Sequence, residues 1–219
     1  MHTKRCRVVV LISGNGSNLQ AIIDASSCSA YEVVAVISNK QDAYGLTRAR
    51  QANIQTAVLD HKRFASRLEF DTALINIIDP LKPDLLVLAG FMRILSVEFV
   101  QHYAGKTLNI HPSLLPKFPG INTHQRAIDA KETEHGASVH FVTEELDGGP
   151  VVAHVKLAIA DRENAEQLQA RVAEQEHKLF PFVIDLFSKG RLKMEKQVAL
   201  LDSKTLPLGG VQLSTVHNS

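Results

Sequence analysis

Arg7–Leu19 reads RVVVLISGNGSNL, and the fold class turns on how it is read. Arg7–Ser13 is apolar and β-branched with no polar alternation, the pattern of a strand buried on both faces. Gly14 and Gly16 then permit a tight turn, and Ser17–Ala25 has helical periodicity, with Asn15 or Ser17 as the expected cap. Strand, glycine turn and helix in that order open a βαβ unit. The alternation continues. Strands are predicted at Glu32–Ser38, Ile54–Asp60, Pro83–Gly90 and Lys106–His111, with helices over 45–53, 67–79 and 96–103. Leu68, Leu74, Ile75 and Ile78 are expected on one face of the 67–79 helix. The fold class is α/β, a doubly wound, mainly parallel sheet.

After Gly120 the pattern changes. A short helix is expected over 123–130, and the runs 137–143 and 150–159 are expected to pair antiparallel across the turn-rich 144–149. A long helix is expected over 164–190, with Pro181 kinking or splitting it. The run 191–201 is strand-like. The expected organisation is one domain over 1–206, in halves 1–108 and 109–206 that share one sheet, and a disordered tail at 207–219.

With 219 residues, 45% hydrophobic and 21% charged, the chain can bury a sizeable core. A net charge of +1 gives no general attraction to nucleic acid or membrane. Cys6 and Cys28 have neither metal-type spacing nor a disulfide framework, which fits a reducing, cytoplasmic setting. The basic start before the first apolar run has the flavour of a signal peptide. The run is too short, however, and ends in Gly-Asn-Gly without a cleavage site, so a strand is the better reading. No stretch is long and apolar enough to span a bilayer.

Three stretches carry chemistry. SGNGSNL (Ser13–Leu19) sits where this fold aims backbone N–H groups and a helix amino end at an anion. As a dinucleotide fingerprint it is incomplete, since Leu19 stands at the third glycine position and no acidic residue ends the second strand. A phosphate monoester at Gly16, Ser17 and Asn18 fits better, and a ligand-free glycine turn stays open. NIHPSLLPKFPG (Asn109–Gly120) puts an amide and an imidazole two residues apart at a strand's carboxyl end, hence on one side. Pro112, Pro116 and Pro119 restrict the loop beyond His111, with Leu115–Pro116 the candidate cis bond. ELDGGP (Glu145–Pro150) holds Asp147 in a tight turn, either as a turn former or as a carboxylate that orients His111. GFMRIL (Gly90–Leu95) offers an apolar wall in Met92, Ile94 and Leu95 and an anion partner in Arg93. His102, His124, His135 and His140 show no metal-ligand pattern, so no metal is expected. A Ser113–His111–Asp147 triad lacks a nucleophile elbow.

Together LISGNGSNLQAIIDA, VLAGFMRIL, LNIHPSLLPKFPG, HGASVHFVTEELDGGPV and QEHKLFP resemble the phosphoribosylglycinamide formyltransferases, folate-dependent transformylases of purine biosynthesis, from about Arg7 to about Leu206. The Asn-x-His and Leu-Asp-Gly-Gly-Pro pair is shared with other folate formyltransferases and with formyltetrahydrofolate deformylase. The loop GNGSNL is the more specific feature. The resemblance implies a formyltransferase-like fold, with a ribonucleotide-binding half (1–108) and a catalytic and folate-binding half (109–206). It implies direct formyl transfer from 10-formyltetrahydrofolate to the amine of glycinamide ribonucleotide, without metal or covalent intermediate. Asn109, His111 and Asp147 would be catalytic. Gly16, Ser17, Asn18 and Glu176 would hold the ribonucleotide. Arg67, Met92, Arg93, Ile94, Leu95 and Asn109, with Thr143, Glu144, Glu145 and Leu146, would line the folate, and Lys117–Phe118 lies in a loop able to close over substrates. Partners would be small molecules, with no nucleic acid or membrane, and a homodimer is compatible with the sequence. A deformylase and a non-catalytic ribonucleotide- or folate-binding protein are the alternatives.

Overall fold

The computed structural model describes residues 4–214. The chain forms two compact units, one ending at Asn109 and the other starting at Ile110.

In the first unit, β1 (Cys6–Ile12), β2 (Tyr31–Ser38), β3 (Gln55–Val58), β4 (Leu85–Leu88) and the start of β5 (Thr107–His111) pair in parallel, in the order β5–β4–β1–β2–β3. The uninterrupted apolar runs have the expected cause: Val8–Ile12 and every residue of β4 are buried. Val10 pairs with Val36 on one side and Val87 on the other. The connections are α1 (Ser17–Ser26), α2 (Tyr44–Gln51), α3 (Arg67–Ile78) and α4 (Val97–His102). The chain runs outward from β1 to β3, then returns with β4 on the other side of β1. The strand order therefore reverses between β1 and β4, the point where open α/β sheets bind ligands.

Two local expectations need correction. Neither Asn15 nor Ser17 caps α1. Gly16 does, at φ 76°, with no side-chain cap bond. That left-handed geometry suits glycine and would strain a residue bearing Cβ. Leu68 is not on the buried face of α3 but 46% exposed. The buried stripe is Phe70, Leu74 and Ile78, with Asp71 beside it, and Leu68 lies two residues off that i, i+4 series. Ser66 caps α3, its hydroxyl accepting from the Glu69 amide at 3.2 Å.

In the second unit, β6 (Glu134–Phe141) and β7 (Val151–Ala158) pair antiparallel, as expected. α5 (Thr123–Asp129) precedes them and α6 (Ala165–Ser188) comes after. α6 starts in a capping box between Asn164 and Gln167 and continues unbroken through Pro181. Proline removes one helix bond, but the buried stripe Leu168, Val172, Leu179, Phe180, Val183 and Ile184 keeps both sides docked. Each such side chain contributes about 1.5–3 kcal/mol. The strand-like run after Arg191 is a hairpin, β8 (Leu192–Glu195) and β9 (Val198–Leu201), which with β10 (Lys204–Thr205) makes a separate antiparallel sheet. Lys196 and Gln197 both take positive φ, the turn that matches a hairpin's twist. In the tail expected to be disordered, Val211–Leu213 form β11, parallel to β7. Residues 215–219 lie outside the described part. Among the described residues no helix is long and apolar enough to cross a membrane.

Candidate active site

β5 ends in Asn109, Ile110 and His111. Asn109 is half-buried and His111 buried, two residues apart on one strand. Each ring nitrogen of His111 faces an oxygen. Nδ1 stands 3.4 Å from Asp147 Oδ2, and Nε2 stands 2.9 Å from the Phe118 carbonyl. The two side chains are only 6% and 9% exposed, so water screens their interaction weakly. Asp147 has two further neighbours. The Gly120 amide donates to Oδ2 at 2.8 Å, and His140 Nε2 lies 3.8 Å from Oδ1. Burial holds His140 well below the ordinary imidazole range, against the pull of the Phe141 carbonyl and of Asp147. One carboxylate thus stands among two imidazoles and a backbone amide. Sequence reading weighed His140 only as a metal ligand: it lies on β6 and meets Asp147 through the β6–β7 hairpin.

The chain around this group is fixed by local chemistry. The Leu115–Pro116 bond is cis, as expected. Ser113 is fully buried and its hydroxyl donates to the Lys117 carbonyl at 2.6 Å, so it is a loop brace and not a nucleophile. Ser138 ties the same segment to β6, donating to the Ser113 carbonyl at 2.7 Å and accepting from the Leu115 amide at 3.1 Å. Lys117 pairs with Glu132 at 2.7 Å. Asp147 itself sits at φ 52°, and Gly149 lies two residues on. A Cβ on Gly149 would lie 1.9 Å from the Phe141 carbonyl oxygen, so only glycine fits where this loop returns to β6. The expected folate residues Thr143, Glu144, Glu145 and Leu146 occupy the same loop, with Leu146 52% exposed.

Of the other expected residues of the first unit, Gly16–Asn18 follow β1, Met92–Leu95 follow β4, and Arg67 begins α3. Ser13, just after β1, donates to Asn39 Oδ1 at 2.6 Å and accepts from the Met92 amide at 2.8 Å. Asn39 Nδ2 lies 3.3 Å from His61 Nδ1. Ser13 and Asn39 are both buried, so this relay ties together the carboxyl ends of β1, β2 and β4. Beyond it, Met92 and Ile94 stand 70% and 51% exposed, an apolar surface available to a ligand. Arg93 is half-buried, and its guanidinium carbon lies 5.1 Å from the centre of the Phe70 ring. Asp71 accepts from the Ser96 amide, which fixes the far end of this segment. Burial raises the Asp71 pKa, opposed by the Ser96 bonds and by the charges of Arg93 and Arg67. Arg67 and Arg93, both expected folate residues, therefore act on one buried carboxylate that sequence reading did not single out. Gly16, Ser17 and Asn18 form the turn into α1, and Glu176 is buried on α6. A polar cleft of about 580 Å³ lies beside the relay, lined by 39–42 and 60–62, and it holds none of the expected site residues.

Comparisons with known proteins show the family. The formyl transferase family model matches residues 6–184. The chain is 56% identical over 205 residues to the phosphoribosylglycinamide formyltransferase of Escherichia coli (strain K12), covering 93% of this chain and 97% of that one. It is 44% identical over 193 residues to the trifunctional purine biosynthetic protein adenosine-3 of Homo sapiens, covering 87% of this chain and 19% of that one. The solved phosphoribosylglycinamide formyltransferase of Coxiella burnetii, in complex with CHES, matches with a TM-score of 0.92 at 50% identity, over 95% of this chain and 99% of that one. The chain belongs to the formyl transferase family, among the phosphoribosylglycinamide formyltransferases of purine biosynthesis.

Proposed function

We propose that the protein transfers the formyl group of 10-formyltetrahydrofolate to the amine of glycinamide ribonucleotide, releasing tetrahydrofolate, in the cytoplasm and as one formyltransferase domain over 1–206. The amine nitrogen attacks the formyl carbon and the carbonyl electron pair moves to oxygen. Asn109 donates to that oxyanion, a contribution of about 3 kcal/mol for a well-aimed donor. The intermediate collapses by expelling the folate nitrogen. The amine must lose a proton and the folate nitrogen must gain one. His111, held by Asp147, stabilises the oxyanion and can carry that proton. For a substrate oxygen to reach His111 Nε2 it has to take the place of the Phe118 carbonyl, which gives the Lys117–Phe118 loop a part in binding. Gly16, Ser17 and Asn18 receive the phosphate and Glu176 the ribose. Arg67, Met92–Leu95 and Thr143–Leu146 receive the folate.

The observation that supports the reading is the buried His111–Asp147 pair, with His111 two residues after Asn109 and the neighbouring Ser113 hydroxyl spent on the Lys117 carbonyl. The test is turnover of 10-formyltetrahydrofolate by purified protein, with and without glycinamide ribonucleotide, followed by the absorbance of the released folate. Turnover that requires the ribonucleotide is expected. Equal turnover without it, yielding formate, would mean a deformylase, and none in either cuvette a binding protein.

A further inference from the structure

The phosphate loop Gly16–Asn18 contains no cation of its own, and a cation on another element reaches the residues that flank it. Arg48, on α2, spends its guanidinium on this loop. Nε donates to the Asn15 carbonyl at 3.0 Å, Nη2 to Asn15 Oδ1 at 3.0 Å, and Nη1 to Gln20 Oε1 at 3.3 Å. The fork thus grips the loop just before Gly16 and the first turn of α1 just after Asn18. Gln20 passes the contact on, its amide donating to Asp24 at 2.8 Å. Tyr44, one turn earlier on α2, lies under the guanidinium, 4.9 Å from ring centre to Cζ. The two backbones also touch. The Gly45 amide donates to the Gly14 carbonyl at 3.1 Å, and a Cβ on Gly16 would come within 2.7 Å of Gly45 Cα. Gly16, already at positive φ, leaves no room for a Cβ against Gly45, and a Cβ on Gly45 would meet Ile12 Cδ1 at 2.5 Å and Gly16 Cα at 3.3 Å, so α2 lies close against the loop that Arg48 reaches.

We infer that Arg48 is the positioning residue and backing charge of the phosphate loop, the group that makes it select a phosphate monoester dianion over an uncharged hydroxyl. This rests on reading Gly16–Asn18 as the phosphate loop. Three of the five guanidinium N–H groups hold the loop's shape, and the positive charge stays behind it where an arriving dianion feels it. Nothing in Arg48 needs to touch the reacting amine or the folate.

The test is steady-state kinetics of Arg48→Met, Arg48→Lys and Asn15→Ala, with Arg50→Met as a control that removes an exposed charge from the same helix. In Arg48→Met the KM for the ribonucleotide should rise about ten-fold or more while the KM for the formyl donor stays within about two-fold. Arg48→Lys keeps the charge and loses the fork, so it should recover part of the loss. Asn15→Ala should raise the same KM, and the double variant Asn15→Ala/Arg48→Met should be less than additive. Equal rises in both KM values, full additivity, or an Arg48→Met variant with the parent's KM would overturn the assignment. A readout independent of turnover uses inorganic phosphate as the probe. It should raise the Tm of the parent protein and of Arg50→Met but not of Arg48→Met. If the parent protein lacks ribonucleotide-dependent turnover the functional reading fails, and the Tm series still decides the role of Arg48.

Discussion

Asp147 faces His111, His140 and the Gly120 amide from one loop position, and its charge and its shape can be separated by substitution. Asp147→Asn keeps an oxygen for the Gly120 amide and loses the charge beside His111. Asp147→Ala loses both. Each is expected to lower kcat about 100-fold or more, as are Asn109→Ala and His111→Ala, since in the proposed mechanism Asn109 and His111 act on one tetrahedral intermediate and Asp147 holds His111. Near-parental kcat in His111→Ala would remove the mechanism. Parental kcat in Asp147→Asn alone would reduce the carboxylate to a loop brace. That Asn109 and His111 share one strand end was legible in sequence because two-residue spacing on a strand is a local property, while the roles proposed for them rested on the family resemblance. The Asp147 loop was legible as a turn, and its distance from His111 was not. The His140–Asp147 and Asp71–Ser96 contacts were not legible for the same reason, since each depends on a partner brought near by folding.

At the scale of elements, two substitutions test whether the strand ends carry the proposed function. Ser13 connects the ends of β1, β2 and β4 through one hydroxyl. Ser13→Ala leaves the Met92 amide and Asn39 Oδ1 each short of a partner, a cost of about 1–3 kcal/mol for buried groups. Urea denaturation should register that loss. The KM for the formyl donor should rise with it, because Met92 begins the exposed apolar segment; an unchanged KM would detach the relay from folate binding. Gly149→Ala drives a Cβ into the Phe141 carbonyl and must push the β6–β7 loop outward. A stability loss of about 1–3 kcal/mol is expected together with lower kcat, because Asp147 travels with that loop. A stable variant with full kcat would show that Asp147 need not be held where it is. The parallel strands, the antiparallel pair and the helices were readable because burial on both faces, alternation and helical period leave different patterns. The α1 cap, the exposed side of α3 and β11 were not. The first depends on a backbone angle, the second on which neighbour covers the stripe, and the third on a three-residue backbone pairing with no side-chain signature.

Across the whole molecule, the chain buries several imidazoles in neutral form, and acid should reveal it. His135 is pushed down to about 4, chiefly by burial and then by His124, whose Nδ1 lies 3.1 Å from His135 Nε2. His124 and His140 are lowered as well, burial again being the main cause. A group with a depressed folded-state pKa binds its proton first in the unfolded chain. From about 6.5, the ordinary imidazole value, down to about 4, the unfolded state therefore holds more protons and stability falls with pH. Above that window neither state is charged at these rings and the contribution is flat. At pH 5 His135 alone should account for about 1–2 kcal/mol. Asp71 works the other way. Its raised pKa lets the folded state keep a proton more readily, so it returns some stability as pH falls. Asp79, Glu163 and Asp202 are held low, so they lose their contribution only below the ordinary carboxylate range. Over the window from pH 6.5 to 5 the lowered imidazoles therefore pull stability down, with Asp71 opposing them. Urea midpoints should drop steadily across it, and His135→Gln should flatten part of the slope, since glutamine has no proton to gain. A midpoint that stays level from pH 7.5 to 5 would mean that these rings are protonated in the folded protein, with water or a carboxylate reaching them.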